Sequence, residues 1–554
     1  MSVHQSGPDQ ARLAFRHGTF YMGGGRFESG ALWTNGGTIV AFTDGDEPPG
    51  QARDWQEIDL GGGTLLPGFH DAHVHPLMAG QAMMGVDFSP VHSKDEYLVA
   101  VGAFADAHPE LPVIEGFGWF GDVFPDGFPT AADLDQVLPG RPAVLTSHDG
   151  HGVWVNSRTL ELAGISAATP DPADGRIQRD ASGRPTGMLL EGAIKLVQHL
   201  LPAKGLDHLV EALRRAQERL HSCGIVGWQD AAVGSSWLGP DALPAYLELA
   251  RRGELSGRVV GAQWWDPLQE AATQHARLAE RRASVSAMPR LRLDTVKLMH
   301  DGMVENGTAA MLSPLCGRKD VGISYFEQAQ LESVSRLLAA EGFQLHYHAV
   351  GDRAVRECLD AVAALPPEQR SSSRMHHIAH LDVVHPQDLA RFAELSCAAN
   401  IQPLWARRDE EILIRKLPLL GETRSNQHFP FGSLTRADAT LVGGSDWPVT
   451  DPNPLWGMYT AVTRTAPRED PHAIGPEACT VPLLPDEAIT LGQAMDAYTC
   501  NAARLNALGE KGGTLSVGAP ADLVWVDRDV SDVAALGSAS VLGTWVDGER
   551  VFTA

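Results

Sequence analysis

The segment Leu66-Pro-Gly-Phe-His-Asp-Ala-His-Val-His-Pro contains two histidines two residues apart, His73 and His75. Side chains alternate along a β-strand, so both would point to the same face if this segment is a short strand. Two imidazoles on one face can bind a single metal ion without distorting the backbone. A His-x-His pair also arises by chance in a chain with 22 histidines, so the pair alone does not establish a metal site.

Four further residues of suitable chemistry lie in or directly after short apolar runs: Lys297, His348, His377 and Asp446. Each run follows an amphipathic stretch, which is the alternation expected of strand–helix units around a parallel sheet. In a (β/α)8 barrel the carboxyl ends of the strands converge, and catalytic side chains come from several strands there. The chain order His-x-His, Lys, His, His, Asp therefore predicts a binuclear metal site.

This order resembles that of the metal-dependent amidohydrolase superfamily. Four motifs are similar to the YtcJ-like branch, amidohydrolase family 3, which includes N-substituted formamide deformylases. They are Asp149-Gly-His-Gly-Val-Trp-Val-Asn-Ser, Val296-Lys-Leu-Met-His-Asp-Gly, His348-Ala-Val-Gly-Asp-Arg-Ala and Gly444-Ser-Asp-Trp-Pro-Val. The resemblance covers nearly the whole chain, and the motifs are specific in combination although weak singly.

The resemblance implies one or two divalent ions per chain, with zinc expected. The implied ligands are His73, His75 and Asp446 for one ion, His348 and His377 for the second, and Lys297 between them. A protonated lysine has no lone pair and cannot ligate. The resemblance therefore implies that Lys297 is carbamylated and bridges the ions as a carboxylate-like group. The alternative is a buried lysine paired with Asp294 or Asp301.

Two of these ligand assignments leave alternatives. Relatives usually have Glu-His where this chain has His376 and His377, and alternation places His376 on the opposite face, which favours His377. His346 and His348 share one face, so alternation does not separate them. His348 is preferred because it adjoins the Ala-Val-Gly-Asp-Arg turn, which leaves His346 as a supporting or packing residue.

A metal-activated hydroxide is the expected nucleophile, because a bound divalent ion lowers the pKa of water and polarises a carbonyl. Asp446 is predicted to be the general base and then the general acid, and Lys297 is the second predicted catalytic residue. The predicted substrate-binding residues are His151 and four aromatic residues, Trp119, Trp154, Trp405 and Trp447. As a group they favour a substrate with an apolar or aromatic moiety.

The two ends of the chain share a sequence pattern of short β segments separated by glycine turns, which differs from the pattern of the middle. We predict an α/β protein in which residues 67–485 form a (β/α)8 barrel. Residues 1–66 and 486–554 are predicted to form one composite β-sandwich domain. Residues 121–200 break the alternation with Pro, Gly and Asp, and are predicted to be an insertion that covers the active-site mouth.

The composition excludes several classes of protein. With 44 Lys and Arg against 69 Asp and Glu, the net charge is −25, which argues against nucleic acid as a partner. No apolar run is long enough to span a membrane, and residues 1–16 lack the apolar core of a signal peptide. Six cysteines without a Cys-x-x-Cys motif suggest neither a disulfide framework nor a zinc ribbon. We expect a cytoplasmic protein, and the family resemblance is compatible with a homodimer.

The predicted function is hydrolysis of a carbon–nitrogen bond other than a peptide bond. The expected substrate is a small-molecule amide, an N-substituted formamide or a related amide with an apolar or aromatic group. The same ligand types would serve a mononuclear deaminase or a cyclic amidohydrolase. A metal-free barrel used for binding or regulation is the alternative outside the enzymes, and the presence of every ligand type argues against it.

Overall fold

The computed structural model describes residues 11–45, 47–50, 54–125, 127–172, 174–370 and 375–554. Residues 1–10 lie outside the described residues, and with them most of the segment on which the signal-peptide prediction depends. The strands, in chain order, are β1 Arg12–Arg16, β2 Thr19–Tyr21, β3 Phe27–Ser29, β4 Ala31–Asn35, β5 Thr38–Thr43, β6 Gln56–Asp59, β7 Thr64–Pro67, β8 Phe69–Val74, β9 Val86–Asp87, β10 Ile114–Trp119, β11 Ala143–Ser147, β12 Gly152–Val155, β13 Gly175–Arg179, β14 Pro185–Glu191, β15 Ile225–Val233, β16 Arg258–Trp264, β17 Leu291–Met299, β18 Gln344–Ala349, β19 His377–His380, β20 Ala398–Ile401, β21 Leu441–Gly443, β22 Leu523–Val526, β23 Val541–Val546 and β24 Glu549–Thr553.

The α-helices are α1 Pro76–Ala82, α2 Lys94–Ala107, α3 Ala131–Asp135, α4 Ser157–Leu162, α5 Lys195–Gln198, α6 Leu206–Ser222, α7 Leu243–Arg252, α8 Ala271–Ser284, α9 Gln328–Ala340, α10 Asp352–Ala363, α11 Arg391–Glu394, α12 Leu417–Ser425, α13 Phe431–Arg436, α14 Pro454–Thr463, α15 Leu491–Tyr498, α16 Cys500–Leu505 and α17 Val533–Leu536. Among the described residues, no helix is both long enough and apolar enough to cross a membrane.

An eight-stranded parallel sheet forms the centre of the molecule, in the order β21-β20-β19-β18-β17-β16-β15-β8. Its strands are buried on both faces, and β8 has no exposed residue, as expected when helices cover a parallel sheet. The first and last strands meet just beyond their ends. There the Asp446 amide donates to the His73 carbonyl at 2.8 Å, and the His75 amide donates to the Trp447 carbonyl at 2.9 Å. The predicted barrel is thereby confirmed.

The helices that surround the barrel follow the amphipathic stretches of the sequence. Helix α6 buries a stripe that includes Leu209, Leu213 and Leu220, and the basic residues Arg219 and His221 lie in its last turn. The apolar stripe is thereby buried against the barrel, and the positively charged side chain of Arg219 lies at the negative end of the helix dipole. Helices α15 and α16 extend beyond residue 485 and pack against β21 and β8, so barrel helices continue past the predicted boundary.

A six-stranded sheet is inserted between barrel strands β8 and β15, in the order β13-β14-β12-β11-β10-β9. It has its own apolar core, which includes Tyr97, Trp119 and Trp154. Strands β13 and β14 pair antiparallel and form a hairpin within it. The sheet begins at Val86, before the predicted start at residue 121. Helix α2 and strand β10 have the same helix–strand rhythm as the barrel, which explains why the sequence did not separate them.

Two further sheets are built from both ends of the chain. One has the order β5-β4-β1-β6 and the other has the order β24-β23-β22-β7-β2-β3. Strand β7 pairs with β2 on one side and with β22 on the other. Phe15 and Leu32 from the first sheet pack against Leu65 and Trp545 from the second, which forms the core of a β-sandwich.

Candidate metal centre

Three predicted ligands converge at the carboxyl end of the barrel. The Oδ1 atom of Asp446 lies 3.2 Å from Nε2 of His73 and 3.1 Å from Nε2 of His75. Candidate ligand atoms of these three buried residues all lie within 4.8 Å of one another. His73 and His75 reach this point because they lie two residues apart at the end of β8, as the alternation predicted. Among the described residues, this is the one such cluster of three or more ligand-type side chains.

Two histidines from neighbouring strands complete the ring of imidazoles. His348 lies near the end of β18 and His380 ends β19, with their ring centroids 4.3 Å apart. Nδ1 of His380 lies 3.7 Å from Oδ2 of Asp446. Both side chains line a central cavity of about 20 Å³ together with His73, His75 and Asp446. This volume is enough for an ion or a water molecule.

Two of these residues have left-handed backbone conformations, which aim their side chains into the cavity. The φ angle is 83° at His380 and 56° at Asp446. Non-glycine residues seldom adopt this region, and each instance costs about 1–3 kcal/mol. The surrounding structure maintains both conformations, and they coincide with the point where the ligand-type side chains meet.

The buried side chains around the central cavity leave polar atoms without hydrogen-bond partners in the described part of the chain: Nε2 of His73, Nε2 of His348, Nδ1 of His380 and Oδ1 of Asp446. Buried polar atoms are normally hydrogen-bonded, because an unsatisfied one costs about 1–3 kcal/mol. A divalent cation would satisfy lone pairs of this type. The residues present therefore fit a metal ion.

The electrostatics of the cluster suit a cation. Burial and the positive charge of Lys297 hold the pKa of His73 well below its ordinary value, and burial lowers that of His380 to about 3. Burial alone would raise the pKa of Asp446, but the adjacent His73 and His75 hold it well below its ordinary value. The imidazoles of His73 and His380 are therefore neutral and the Asp446 carboxylate is charged at neutral pH, which is the state in which both types bind metals.

The structure places His377 away from the central cavity. It lies at the start of β19, next to His346 of β18, and does not line the central cavity. Its Nδ1 atom lies 3.1 Å from Nδ2 of the Asn400 side chain. Active-site side chains of a barrel come from the carboxyl ends of its strands, and here that end is occupied by His380. The sequence favoured His377 because it does not show that the strand begins at His377 itself, one layer below the cavity.

His346 and His376 have supporting roles in the structure. Nε2 of His346 lies 2.9 Å from Nδ1 of His73, a contact that leaves Nε2 of His73 facing the cavity. The Leu345 amide donates to Nδ1 of His376 at 3.0 Å. A partner such as His346 holds the orientation and tautomer of a ligand histidine, whereas His376 bonds to the backbone of the neighbouring strand. The preference for His348 over His346 as the residue at the cavity agrees with this placement.

Lys297 lies on β17 and lines the central cavity, with 2% of its surface exposed. The alternative partners are engaged elsewhere, since Asp294 bonds to Arg292 and Asp301 accepts the amides of Val350 and Gly351. Burial lowers the pKa of Lys297 to about 7, although the negative charge of Asp446 opposes this shift. A substantial fraction of the amine is therefore neutral near pH 7.

The comparisons with known proteins agree with this geometry. A sequence profile of the amidohydrolase family matches residues 56–552. The chain belongs to the amidohydrolase family. It is 28% identical over 541 residues to an N-substituted formamide deformylase from Arthrobacter pascens, covering 94% of each chain. It is also 28% identical over 506 residues to the putative amidohydrolase YtcJ of Bacillus subtilis, covering 90% of each.

A solved structure of an uncharacterized metal-dependent hydrolase from Pyrococcus furiosus superposes with a TM-score of 0.66. The sequence identity is 23%, over 94% of this chain and 100% of the other. At this identity the likeness shows a shared fold. The resemblance to the YtcJ-like branch is confirmed by the relatives, and the amidohydrolase barrel is confirmed by the fold.

The insertion of this amidohydrolase contributes a histidine to the central cavity. His151 lines the cavity, and its Nδ1 atom lies 2.9 Å from Oε2 of buried Glu191. Burial alone would lower the pKa of His151, but the charge of Glu191 overrides it and raises the pKa to about 9. The Thr308 hydroxyl donates to the other Glu191 oxygen at 2.9 Å. His151 is therefore held as an imidazolium beside the metal ligands.

The four predicted aromatic residues have different positions. Trp405 lines the central cavity and stacks on His380, with ring centroids 5.4 Å apart and planes 8° from parallel. Trp119 and Trp154 lie in the core of the insertion and donate to the carbonyls of Leu145 and Thr130. Both indoles have hydrogen-bond partners within the insertion and neither lines the central cavity, so the structure places these two residues away from the candidate site.

Trp447 also does not line the central cavity, since it packs in the main apolar core of the amidohydrolase barrel. Sequence reasoning missed Trp237, whose ring lies 5.3 Å from that of His151. It also missed two apolar residues of the cavity wall, Met78 and Leu238. Trp237 and Leu238 lie in a loop after β15, where no periodicity marks them, and Met78 lies three residues after the His75 ligand.

Proposed function

We propose that this amidohydrolase cleaves the C–N bond of an N-substituted formamide whose amine carries an apolar or aromatic group. The observation that supports this most directly is that His73, His75, His380 and Asp446 line one small cavity. Three of them, His73, His380 and Asp446, have buried polar atoms there without hydrogen-bond partners. The similarity to a deformylase supports the class of bond. Zinc is the expected ion, because neutral imidazoles and a carboxylate in a confined site suit it.

A divalent ion held by His73, His75 and Asp446 would supply an activated water and polarise the substrate carbonyl. Asp446 accepts the proton of the attacking water at a carboxylate oxygen. It then delivers that proton to the nitrogen as the C–N bond breaks, so that a formamide and water yield formate and an amine. The low pKa of Asp446 before reaction favours the charged form that this first step needs.

His348 and His380 would hold a second ion, and Lys297 would serve both sets of ligands. For this role we propose that Lys297 is carbamylated. Carbamylation requires a neutral amine, which attacks carbon dioxide and releases a proton. Burial provides that neutral amine by lowering the pKa of Lys297 to about 7.

His151 is positioned to stabilise negative charge on the substrate oxygen. As an imidazolium it carries a proton that it can donate to the oxygen as the carbonyl becomes tetrahedral. Glu191 maintains this protonation state from the side opposite the cavity. The arrangement pairs a proton acceptor, Asp446, with a charged donor, His151, on the walls of the same cavity.

The test is a hydrolysis screen on metal-reconstituted enzyme with formamides, acetamides, cyclic amides and aminated heterocycles. We expect amine release from N-benzylformamide and related formamides, with acetamides turned over more slowly because the cavity leaves little room for a larger acyl group. Hydrolysis restricted to cyclic amides, or ammonia release from heterocycles, would assign the site to a cyclic amidohydrolase or a deaminase. No chelator-sensitive turnover on any compound would contradict the enzyme proposal.

A further inference from the structure

A second, larger cavity lies between the inserted sheet and the barrel. Its volume is about 500 Å³, which is within the range of pockets that bind small molecules. We call it the apolar cavity, because its walls are mostly aliphatic and aromatic, with Phe104, Leu111, Val153 and Val197 among them. The central cavity, at about 20 Å³, is too small for an amide substrate by itself.

The two cavities share one wall. Met78, Trp237 and Leu238 line both of them. Gly150 lines the apolar cavity beside these side chains and has a φ angle of 72°. A Cβ atom at Gly150 would lie 3.7 Å from Cε of Met78 and 3.9 Å from Cδ2 of Leu238. The side chains of Met78, Trp237 and Leu238 therefore lie between the candidate metal ligands and the apolar cavity.

A neighbouring cavity in another direction has the opposite character. It measures about 40 Å³ and shares Asp149 and Trp405 with the central cavity. Its walls carry Glu305, Arg407 and Lys416, so an apolar group would have to desolvate charges there. The charged side chains of the apolar cavity include Glu115 and Lys204, which pair with each other and are partly exposed.

We propose that the apolar cavity binds the substituent on the amide nitrogen, and that this substituent is an uncharged alkyl chain of several carbons or an aryl group. This inference rests on the proposed amide hydrolysis. The small central cavity would accept the one-carbon acyl group, while the substituent passes between Met78 and Leu238. The enzyme would then select small acyl groups and large apolar amines.

The experiment compares N-methyl-, N-butyl- and N-hexylformamide as substrates, and 1-butanol with 1-hexanol as ligands in calorimetry that needs no turnover. All measurements use the metal-loaded full chain. Ala82→Phe adds bulk to the apolar cavity, whose wall includes Ala82, whereas Met83→Phe adds an aromatic ring at the next position of the chain, which is exposed and outside that wall. Ala203→Trp, at an exposed part of the wall, replaces Ala82→Phe should that variant not fold.

In the wild type and in Met83→Phe we expect alkanol affinity and kcat/KM to rise about three- to fourfold per methylene. In Ala82→Phe or Ala203→Trp we expect this dependence to be lost. Two results would overturn the apolar-cavity proposal and leave the hydrolase proposal standing. One is hydrolysis of formamides at rates that do not depend on chain length. The other is a chain-length dependence that Ala82→Phe or Ala203→Trp leaves unchanged. A chain-length dependence of alkanol binding without hydrolysis of any amide would support the cavity and contradict the proposed function.

Discussion

Asp446 is connected to His73 twice, once through the backbone and once through the side chain. Its amide donates to the His73 carbonyl at 2.8 Å, and its Oδ1 atom lies 3.2 Å from Nε2 of His73. The first contact joins the ends of the first and last barrel strands. The second places the proposed proton acceptor against a proposed metal ligand, so the closure of the barrel also assembles the site.

Replacement of Asp446 by Asn preserves the size of the side chain and the backbone contact but removes the charge. We expect kcat to fall by at least about 10³-fold, because general acid–base catalysis contributes about 10²–10⁴-fold and metal binding is weakened in addition. The measurement is steady-state hydrolysis of N-benzylformamide with circular dichroism as a control for folding. Activity near that of the wild type in a folded, metal-loaded variant would exclude Asp446 as the proton acceptor.

We propose His380 in place of His377 as the sixth ligand, because His380 lines the central cavity and His377 does not. We expect His380→Ala to lose bound metal and to lower kcat/KM by more than the about 10- to 100-fold typical of a lost outer partner. His377→Ala should keep the metal and lower the melting temperature, because it removes a buried ring beside His346. Elemental analysis of both purified variants measures the difference. Metal loss in His377→Ala with full occupancy in His380→Ala would restore the assignment made from the sequence.

The barrel and the pair of candidate ligands His73 and His75 could be predicted from the sequence, because both depend on short-range patterns. The two-residue spacing of His73 and His75 follows from the alternation of side chains along one strand. The alternation of strands and helices in the sequence predicts the barrel. To choose between His377 and His380 one must know at which residue the strand begins and ends. The apolar pattern of the sequence does not define the ends of this four-residue strand. Glu191, the partner of His151, is 40 residues away in the chain, and no local pattern connects the two.

Carbamylation of Lys297 would depend on pH in a defined direction. With a pKa of about 7, about one tenth of the amine is neutral at pH 6 and about nine tenths at pH 8. Metal-free protein is incubated with equal dissolved carbon dioxide at each pH, and metal is then added. We expect activation to be several-fold faster at pH 8, because only the neutral amine reacts.

The matched variant is Lys297→Ala, which should not respond to carbon dioxide but should recover some activity with added formate. A small carboxylate can occupy the space left by the side chain and supply the bridging oxygens. Equal activation rates at both pH values, or full activity in enzyme whose Lys297 is unmodified by mass spectrometry under native conditions, would contradict the carbamate.

Trp119 should contribute to stability and not to substrate binding. Its indole N–H donates to the buried Leu145 carbonyl at 2.8 Å, so Trp119→Phe removes that buried hydrogen bond and leaves a smaller ring in the core of the insertion. We expect the free energy of unfolding to fall by about 1–3 kcal/mol, with KM for N-benzylformamide unchanged. Chemical denaturation and steady-state kinetics measure the two quantities. An increase in KM without loss of stability would instead return Trp119 to the substrate site.

The central claim is that the cluster of His73, His75 and Asp446 is a metal centre that cleaves a C–N bond. The most direct measurement is a titration of chelator-treated protein with Zn²⁺, in which bound metal and amine release from N-benzylformamide are followed together. We expect negligible release without metal, a rise in parallel with bound ions, and saturation at one or two ions per chain. Amine release that persists after the metal has been removed, or its absence at full occupancy across the amide panel, would contradict the account.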